Sequence, residues 1–434
     1  MFDDTIFSLA SGSTRAAIAV MRLSGPGAGS AVASLCGGSL PSPRVAALRR
    51  LRDAVGTVLD QALVLWLPGP GSYTGEDSAE FHLHGGRAVI DGVANALIGL
   101  GLRPAEPGEF TRRAFLNGRM DLLEAEAVHD LVSAETEAQR RQALRQLDGA
   151  LGALYQDWAD RLRGVLAYQE ALIDFPDEDL PPAVEDQLLA SLAAVRGEIR
   201  AHLDDAGRGE KLREGLFFAI TGAPNVGKST LINALAEREV AIVSAVPGTT
   251  RDALETRVVL GGVPVTLVDT AGLRKTEDSI EAEGVRRALA RAEDADLVML
   301  VVEAGTEAPA SASDRQVLIA NKADLGRPGG RSLPAGALRI SAKTGEGMGA
   351  LRDCLASAAR RMTESSGPPP LTRARHRAAL LAAAGHLADA ERAELPELRG
   401  EDLRLAMREL GRITGHVGVE DILDTVFSRF CIGK

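Results

Sequence analysis

Three absences frame this chain of 434 residues. Cysteine is scarce, with only Cys36, Cys354 and Cys431 present, too few for the disulfide framework of a stapled secreted scaffold. No apolar run approaches the roughly eighteen residues needed to span a bilayer, and Met1-Phe-Asp-Asp-Thr5 lacks the basic and apolar regions of a signal peptide. An excess of positive charge is missing too: 49 Lys and Arg against 60 Asp and Glu leave a formal net charge of −11. That balance speaks against broad, sequence-independent nucleic-acid binding and leaves room for a local basic surface. The expectation is a soluble, cytoplasmic protein without membrane association, holding about two to four domains.

What is present centres on Gly222-Ala-Pro-Asn-Val-Gly-Lys-Ser-Thr230. Before it, Leu216 to Thr221 has the composition of a buried strand; after it, Leu231 to Glu237 has that of a helix. Strand, glycine loop and helix are the context a phosphate-binding loop needs. Gly222 and Gly227 let the backbone curl so that successive N–H groups face a β-phosphate, and the following helix adds its positive end. Lys228 then reaches the β/γ oxygens and Ser229 ligates Mg²⁺.

Further strands carry the rest of a nucleotide site. Val263 to Val268 runs into Asp269-Thr-Ala-Gly272, where Asp269 serves the Mg²⁺ shell and Gly272 senses the γ-phosphate. After the apolar run Leu297 to Val302, Val317 to Ala320 leads into Asn321-Lys-Ala-Asp324. The Asp324 carboxylate accepts from N1–H and the 2-amino group of guanine, whereas adenine offers neither donor there; such a site discriminates by about 10⁴-fold or more. Ser341-Ala-Lys343 backs the base. The expectation is a doubly wound, Ras-like α/β P-loop domain that binds GTP and GDP through Asn225, Val226, Gly227, Lys228, Ser229, Thr230, Asp269, Thr270, Ala271, Gly272, Asn321, Lys322, Asp324, Ser341, Ala342 and Lys343.

Around this domain, at residues 214–366, the pattern changes. Residues 1–117 read as α+β: Thr5 to Phe7 and Ala17 to Leu23 as strands, Val55 to Leu67 as a hairpin broken near Asp60-Gln61, and Arg87 to Leu100 as a helix. Gly69 to Asp77 with His82 to Gly86, and Pro107 to Phe115, are too polar and glycine-rich for core and read as binding loops. His82 and His84 have no cysteine or third histidine at ligand spacing, so no metal is expected there. Residues 118–213 and 367–434 are helical in composition, and neither half alone shows a self-contained core. The GTPase segment is therefore expected to be inserted into one discontinuous helical domain, as its close termini permit.

Ser72 to Asp77, His84-Gly-Gly86, Gly108 to Gly118, Ala125-Glu-Ala127, the Gly248-Thr-Thr-Arg-Asp252 switch and the terminal Cys431-Ile-Gly-Lys434 together resemble the MnmE (TrmE) family of tRNA-modification GTPases. The resemblance runs end to end. It implies a multidomain α/β protein: a folate-binding, dimerising N-terminal domain, a helical domain built from both flanks, and an inserted GTPase domain. It also implies a homodimer that works with the flavoprotein MnmG to place an aminomethyl or carboxymethylaminomethyl group on C5 of the wobble uridine of certain tRNAs. The carbon comes from a tetrahydrofolate in its 5-formyl or 5,10-methylene form.

Carried over by position, the folate contacts fall on Arg22, Glu80, Arg119 and Lys434, with an arginine at 119 where the family has lysine. A planar fork there replaces a point charge. Asn225 corresponds to the ligand of the family's potassium ion, joined by Ser244, Val246 and Thr249, with serine at 244 in place of the usual threonine. Thr249 and Thr250 belong to the nucleotide-contacting switch, Thr250 on Mg²⁺ and Ser244 beside the nucleotide. Leu273 stands where Ras-type GTPases place the glutamine that orients the attacking water. The resemblance assigns that role to Glu281, although Glu283 lies two residues on and an exposed helix carboxylate is the plain alternative. Potassium would supply the charge that an arginine finger supplies elsewhere. Cys431 reads either as a small buried hydrophobe or, by the resemblance, as a reactive catalytic thiol. A regulatory or ribosome-assembly GTPase without modification chemistry is the competing class, and it has no use for folate loops or a Cys-Ile-Gly-Lys end.

Overall fold

The computed structural model describes residues 2–12, 16–174, 182–237, 255–269, 295–306, 315–325, 336–364, 368–415, 417, 420–428, 430–431 and 433. The chain forms two compact units, one of Met1–His129, Gln146–Gly164 and Arg404–Lys434, the other of Asp130–Arg145 and Val165–Leu403.

In the first unit, apolar alternation builds a six-stranded sheet from β1 (Ile6–Leu9), β2 (Ile18–Ser24), β3 (Ala47–Arg52), β4 (Val58–Leu67), β5 (Ser78–His84) and β6 (Arg103–Pro104). The order is β3-β4-β5-β2-β1-β6, antiparallel except where β1 meets β6. Met21, Leu23, Val64, Trp66, Phe81 and Leu83 face α1 (Ala28–Leu35) and α2 (Arg87–Gly99), packing on Val32, Leu35, Val93 and Leu97. Each such side chain contributes about 1.5–3 kcal/mol when buried, so a one-residue slip that turned the set to solvent is strongly disfavoured. The opposite face is left open in this chain: Ile18, Leu48 and Leu63 are 60%, 56% and 44% exposed.

Two sequence expectations in this unit are corrected. β4 continues through Asp60 and Gln61 and pairs with β3, with only a shift of register at Leu59, so the hairpin turn falls between Arg52 and Val58. Asp53 Oδ1 accepts the N–H groups of Val55 and Thr57 at 3.1 and 2.7 Å, and Gly56 takes a left-handed φ of +89°. Asp60 instead accepts from the His84 backbone N–H at 2.9 Å and from His84 Nδ1 at 2.7 Å. The expected binding segments also contain regular structure: His82 and His84 lie on β5, and Glu109–Leu116 is helix α3 with Glu109, Thr111 and Arg113 turned inward. Arg113 is fully buried and ion-paired to Asp4, Glu76 and Glu109 at 2.7, 3.3 and 2.9 Å. A guanidinium so satisfied is tolerated in a core, which polarity alone does not reveal.

The chain end closes on this unit. Leu423, Phe427 and Phe430 bury against Leu122 and Ala125. Gly108, at φ +69°, and Gly433, at φ +97°, would each place a Cβ 2.6 Å from a backbone oxygen, of Phe427 and Leu9 respectively. Only glycine permits those two close approaches.

The second unit holds the other sheet: β7 (Leu216–Thr221), β8 (Glu255–Leu260), β9 (Val263–Asp269), β10 (Leu297–Glu303), β11 (Gln316–Asn321) and β12 (Leu338–Arg339). Its order is β12-β11-β10-β7-β9-β8, parallel except for the β8–β9 hairpin. β9 is buried at every position, as expected of a sheet covered on both faces. Among the described residues of the whole chain, the remaining helices in order are α4 (Leu122–Ser133), α5 (Glu137–Leu147), α6 (Ala150–Asp174), α7 (Pro182–Leu203), α8 (Arg208–Glu214), α9 (Lys228–Ala236), α10 (Met348–Thr363), α11 (Ala374–Arg392), α12 (Pro396–Thr414) and α13 (Glu420–Phe427). Leu231 and Leu235 of α9 and Leu351 and Leu355 of α10 fill the sheet's core with Phe218, Ile220, Leu267 and Met299.

α7 packs on α11, each burying leucines at helical spacing, Leu188 and Leu192 on one and Leu380 and Leu387 on the other. The two passages of chain flanking the sheet are tied together. Arg213 Nε donates to the Thr372 carbonyl at 2.8 Å, Gln139 Nε2 to the Arg213 carbonyl at 3.1 Å, and Arg373 pairs with Asp130 at 2.7 Å. Among the described residues no helix is long and apolar enough to cross a membrane.

Candidate functional site

The phosphate loop leaves the carboxyl end of β7 and enters α9. Gly222, at φ +145°, runs so close to β10 that a Cβ would lie 2.2 Å from the Val301 carbonyl; at Gly227, φ +95°, a Cβ would lie 2.4 Å from Asn321 Nδ2. Asn225 is also left-handed, at φ +64°, and exposed. Lys228 is buried and folds its ammonium back across the loop, donating to the carbonyls of Gly222 and Ala223 at 3.0 and 2.8 Å. Ser229 Oγ donates to Asp269 Oδ2 at 3.4 Å, which brings together a hydroxyl and a carboxylate from motifs forty residues apart. That is the hard-oxygen donor set Mg²⁺ prefers. Val226 is buried, and Thr230 lies exposed on the first turn of α9.

The base side is knitted to this loop. Asn321 is 2% exposed, and its side-chain amide donates to the Val226 carbonyl at 2.9 Å while its oxygen accepts from Ala342 N–H at 3.0 Å. The Ser341 hydroxyl accepts from Thr344 N–H at 3.1 Å, so its own hydrogen is free to go to Asp324 Oδ1 at 2.7 Å. Lys322, at φ +66°, pairs with Glu303 at 3.3 Å. Lys343 is exposed.

A second polar group lies on the open face of the first unit's sheet. Register sets Arg22 beside Glu80. Arg22 Nε and Nη2 both donate to Glu80 Oε1, at 3.1 and 2.9 Å, and the guanidinium stands 5.6 Å from the Tyr73 ring centre and 5.9 Å from that of Phe110. Burial pushes the Tyr73 phenol up, against the pull of its bond to Thr111 and the charge of Arg22. The Arg119 side chain is exposed and lies over Gly75, where a Cβ would be 3.1 Å from its Cγ. Cys431 is exposed and its carbonyl accepts from Gly108 N–H at 3.5 Å. Cys36, by contrast, is half-buried, and burial raises its thiol pKa.

Residues 122–431 match the family model described as the MnmE helical domain, and residues 5–119 match that described as GTP-binding protein TrmE N-terminus. A tRNA modification GTPase MnmE of Gluconacetobacter diazotrophicus is 63% identical over 435 residues, spanning 99% of this chain and 98% of that one. The chain belongs to the MnmE family. MnmE proteins of Granulibacter bethesdensis and Rhodospirillum rubrum are 58% and 53% identical, spanning 100% and 99% of this chain and the same shares of theirs.

Of the positions suggested by likeness to MnmE, the structure brings Arg22 to Glu80, Ser229 to Asp269, and Asn321 to both Val226 and Ala342. Ser244, Val246, Thr249, Thr250, Thr270, Ala271, Gly272, Leu273, Glu281, Glu283 and Lys434 lie outside the described residues. His82, read from the sequence as part of a binding loop, has a contact that reading did not give: it reaches Glu80 Oε2 through Nε2 at 3.3 Å. The signal was there, since positions two apart on a strand share a face.

Proposed function

We propose that this chain hydrolyses GTP to drive tRNA modification, acting as a homodimer with the flavoprotein MnmG in the cytoplasm. Together they would add a (carboxymethyl)aminomethyl group at C5 of the wobble uridine, with the carbon drawn from a 5-formyl or 5,10-methylene tetrahydrofolate. The domain division proposed is 1–117, 118–213, 214–366 and 367–434. The observation that carries the reading is the Arg22–Glu80 pair on an open sheet face of a chain whose described residues also hold the phosphate loop and the Asp324–Ser341 contact. A pure regulatory switch has no use for the former.

The folate assignment suits the chemistry of those side chains: a glutamate tail offers carboxylates to Arg22, Arg119 or Lys434, and a pterin offers N–H donors to Glu80. Ile18, Leu48 and Leu63, exposed on that same face, support pairing of two copies through it. In the nucleotide site, Ser229, Thr250 and Asp269 would hold Mg²⁺, which neutralises charge on the phosphates. Asn225, Ser244, Val246 and Thr249 would hold K⁺, which supplies a further positive charge there. Asp324 selects guanine, Lys228 leaves its loop carbonyls for the phosphates, and Glu281 orients the attacking water. Cys431 is assigned to the modification step and not to hydrolysis.

The deciding experiment is mass spectrometry of tRNA nucleosides from cells whose only copy carries Glu80→Ala. Loss of the C5 modification with GTP turnover near normal is expected. Unchanged nucleosides would favour the regulatory-GTPase alternative.

A further inference from the structure

Glu80 is held by Arg22 through one oxygen only. Both guanidinium bonds, from Nε at 3.1 Å and Nη2 at 2.9 Å, end on Oε1, so the carboxylate remains able to pivot about that atom. The second oxygen is reached by His82 Nε2 at 3.3 Å. A carboxylate carries no hydrogen to give, so Nε2 must be the donor, and the ring nitrogen that holds the proton is thereby set. Two anchors on two oxygens define the plane of the carboxylate, and the lone pairs they leave unused belong to a group that is still 18% exposed. Strand geometry makes the arrangement available: Glu80 and His82 stand two apart on β5, and each faces a β2 neighbour in register, Arg22 and Val20.

We propose that His82 is a positioning residue for Glu80, fixing the carboxylate in the orientation that receives the N–H edge of the bound folate. This rests on the folate reading above. His82 acts through Glu80, and its Nε2–H is the part that matters. A glutamine side chain places an N–H at a similar reach and keeps the bond, whereas asparagine falls short of it and leucine has no donor.

The test is calorimetric titration of the full chain with 5-formyltetrahydrofolate, comparing wild type with His82→Gln, His82→Asn and His82→Leu, alongside thermal midpoint and GTP turnover. The Gln variant is expected to bind within about threefold of wild type, and the Asn and Leu variants about tenfold or more weaker, the scale of one lost charge-assisted bond. Midpoints and GTP turnover should stay put in all three. Wild-type affinity in the Leu variant overturns the inference, as does an Asn variant that binds while the Gln variant does not, because the ring would then be touching the ligand by its other nitrogen. Equal loss in all three overturns it too. If the wild-type chain takes up no probe at all, the folate reading itself falls and this inference falls with it.

Discussion

The side-chain amide of Asn321 donates to the backbone carbonyl of Val226 at 2.9 Å, joining the guanine motif at the end of β11 to the middle of the phosphate loop. Because the same side chain accepts from Ala342 N–H at 3.0 Å, one buried residue aligns the phosphate loop, the guanine motif and the loop behind the base. Asn321→Ala leaves a carbonyl and an N–H without these partners, at about 1–3 kcal/mol each. The expected outcome is GTP and GDP affinity down by about tenfold or more and a lower unfolding midpoint, read by fluorescent-nucleotide titration and calorimetry. Wild-type affinity in that variant would show that the loops keep their places without it.

Asp324 is oriented by the Ser341 hydroxyl at 2.7 Å. Asp324→Asn exchanges an acceptor for a donor at the atoms proposed to receive guanine N1–H and its 2-amino group, so GTP affinity should fall by about 10³-fold or more while xanthosine triphosphate, with a carbonyl at that position, gains. Competition binding with the two nucleotides checks this. Equal use of ATP and GTP by the wild-type chain would refute the guanine assignment outright.

Gly108 sits at φ +69°, with a Cβ position 2.6 Å from the Phe427 carbonyl. Gly108→Ala combines a strained backbone with that clash and should cost about 1–3 kcal/mol. Since Phe427 and Phe430 belong to the small cluster with Leu122, the loss is expected to appear first as faster proteolysis of the C-terminal segment, with GTP turnover retained.

His202 is 6% exposed, and burial holds its imidazole below the usual range; Asp205 opposes that shift and Arg377 adds to it. The unfolded chain titrates here near about 6.5. Well above that pH both states are neutral at this position and stability does not depend on it. As pH falls through about 6.5 toward the lowered folded value, the unfolded state takes the proton first, and stability drops by up to about 1.4 kcal/mol per pH unit. The unfolding midpoint of His202→Gln should therefore fall less than that of wild type between about pH 7.5 and 5.5. Parallel curves would remove His202 from the acid response.

By itself the sequence named the motifs of the proposed nucleotide site and their order, because residues such as Gly222, Lys228, Asp269 and Asp324 belong to short motifs whose internal spacing phosphate and guanine chemistry dictates. It also named Arg22 and Glu80, by resemblance and not by pattern, whereas their pairing came only with the fold. Tertiary structure alone decided which polar segments are core. Arg113 and Glu109 read as loop chemistry until Asp4, from the other end of the unit, and Glu76 closed around the guanidinium. It decided equally that Asp60 continues a strand, where His84, one strand away, joins the adjacent Gln61 N–H in satisfying its carboxylate. Local propensity counts only near neighbours, whereas a buried charge is made tolerable by partners that the fold brings from far along the chain.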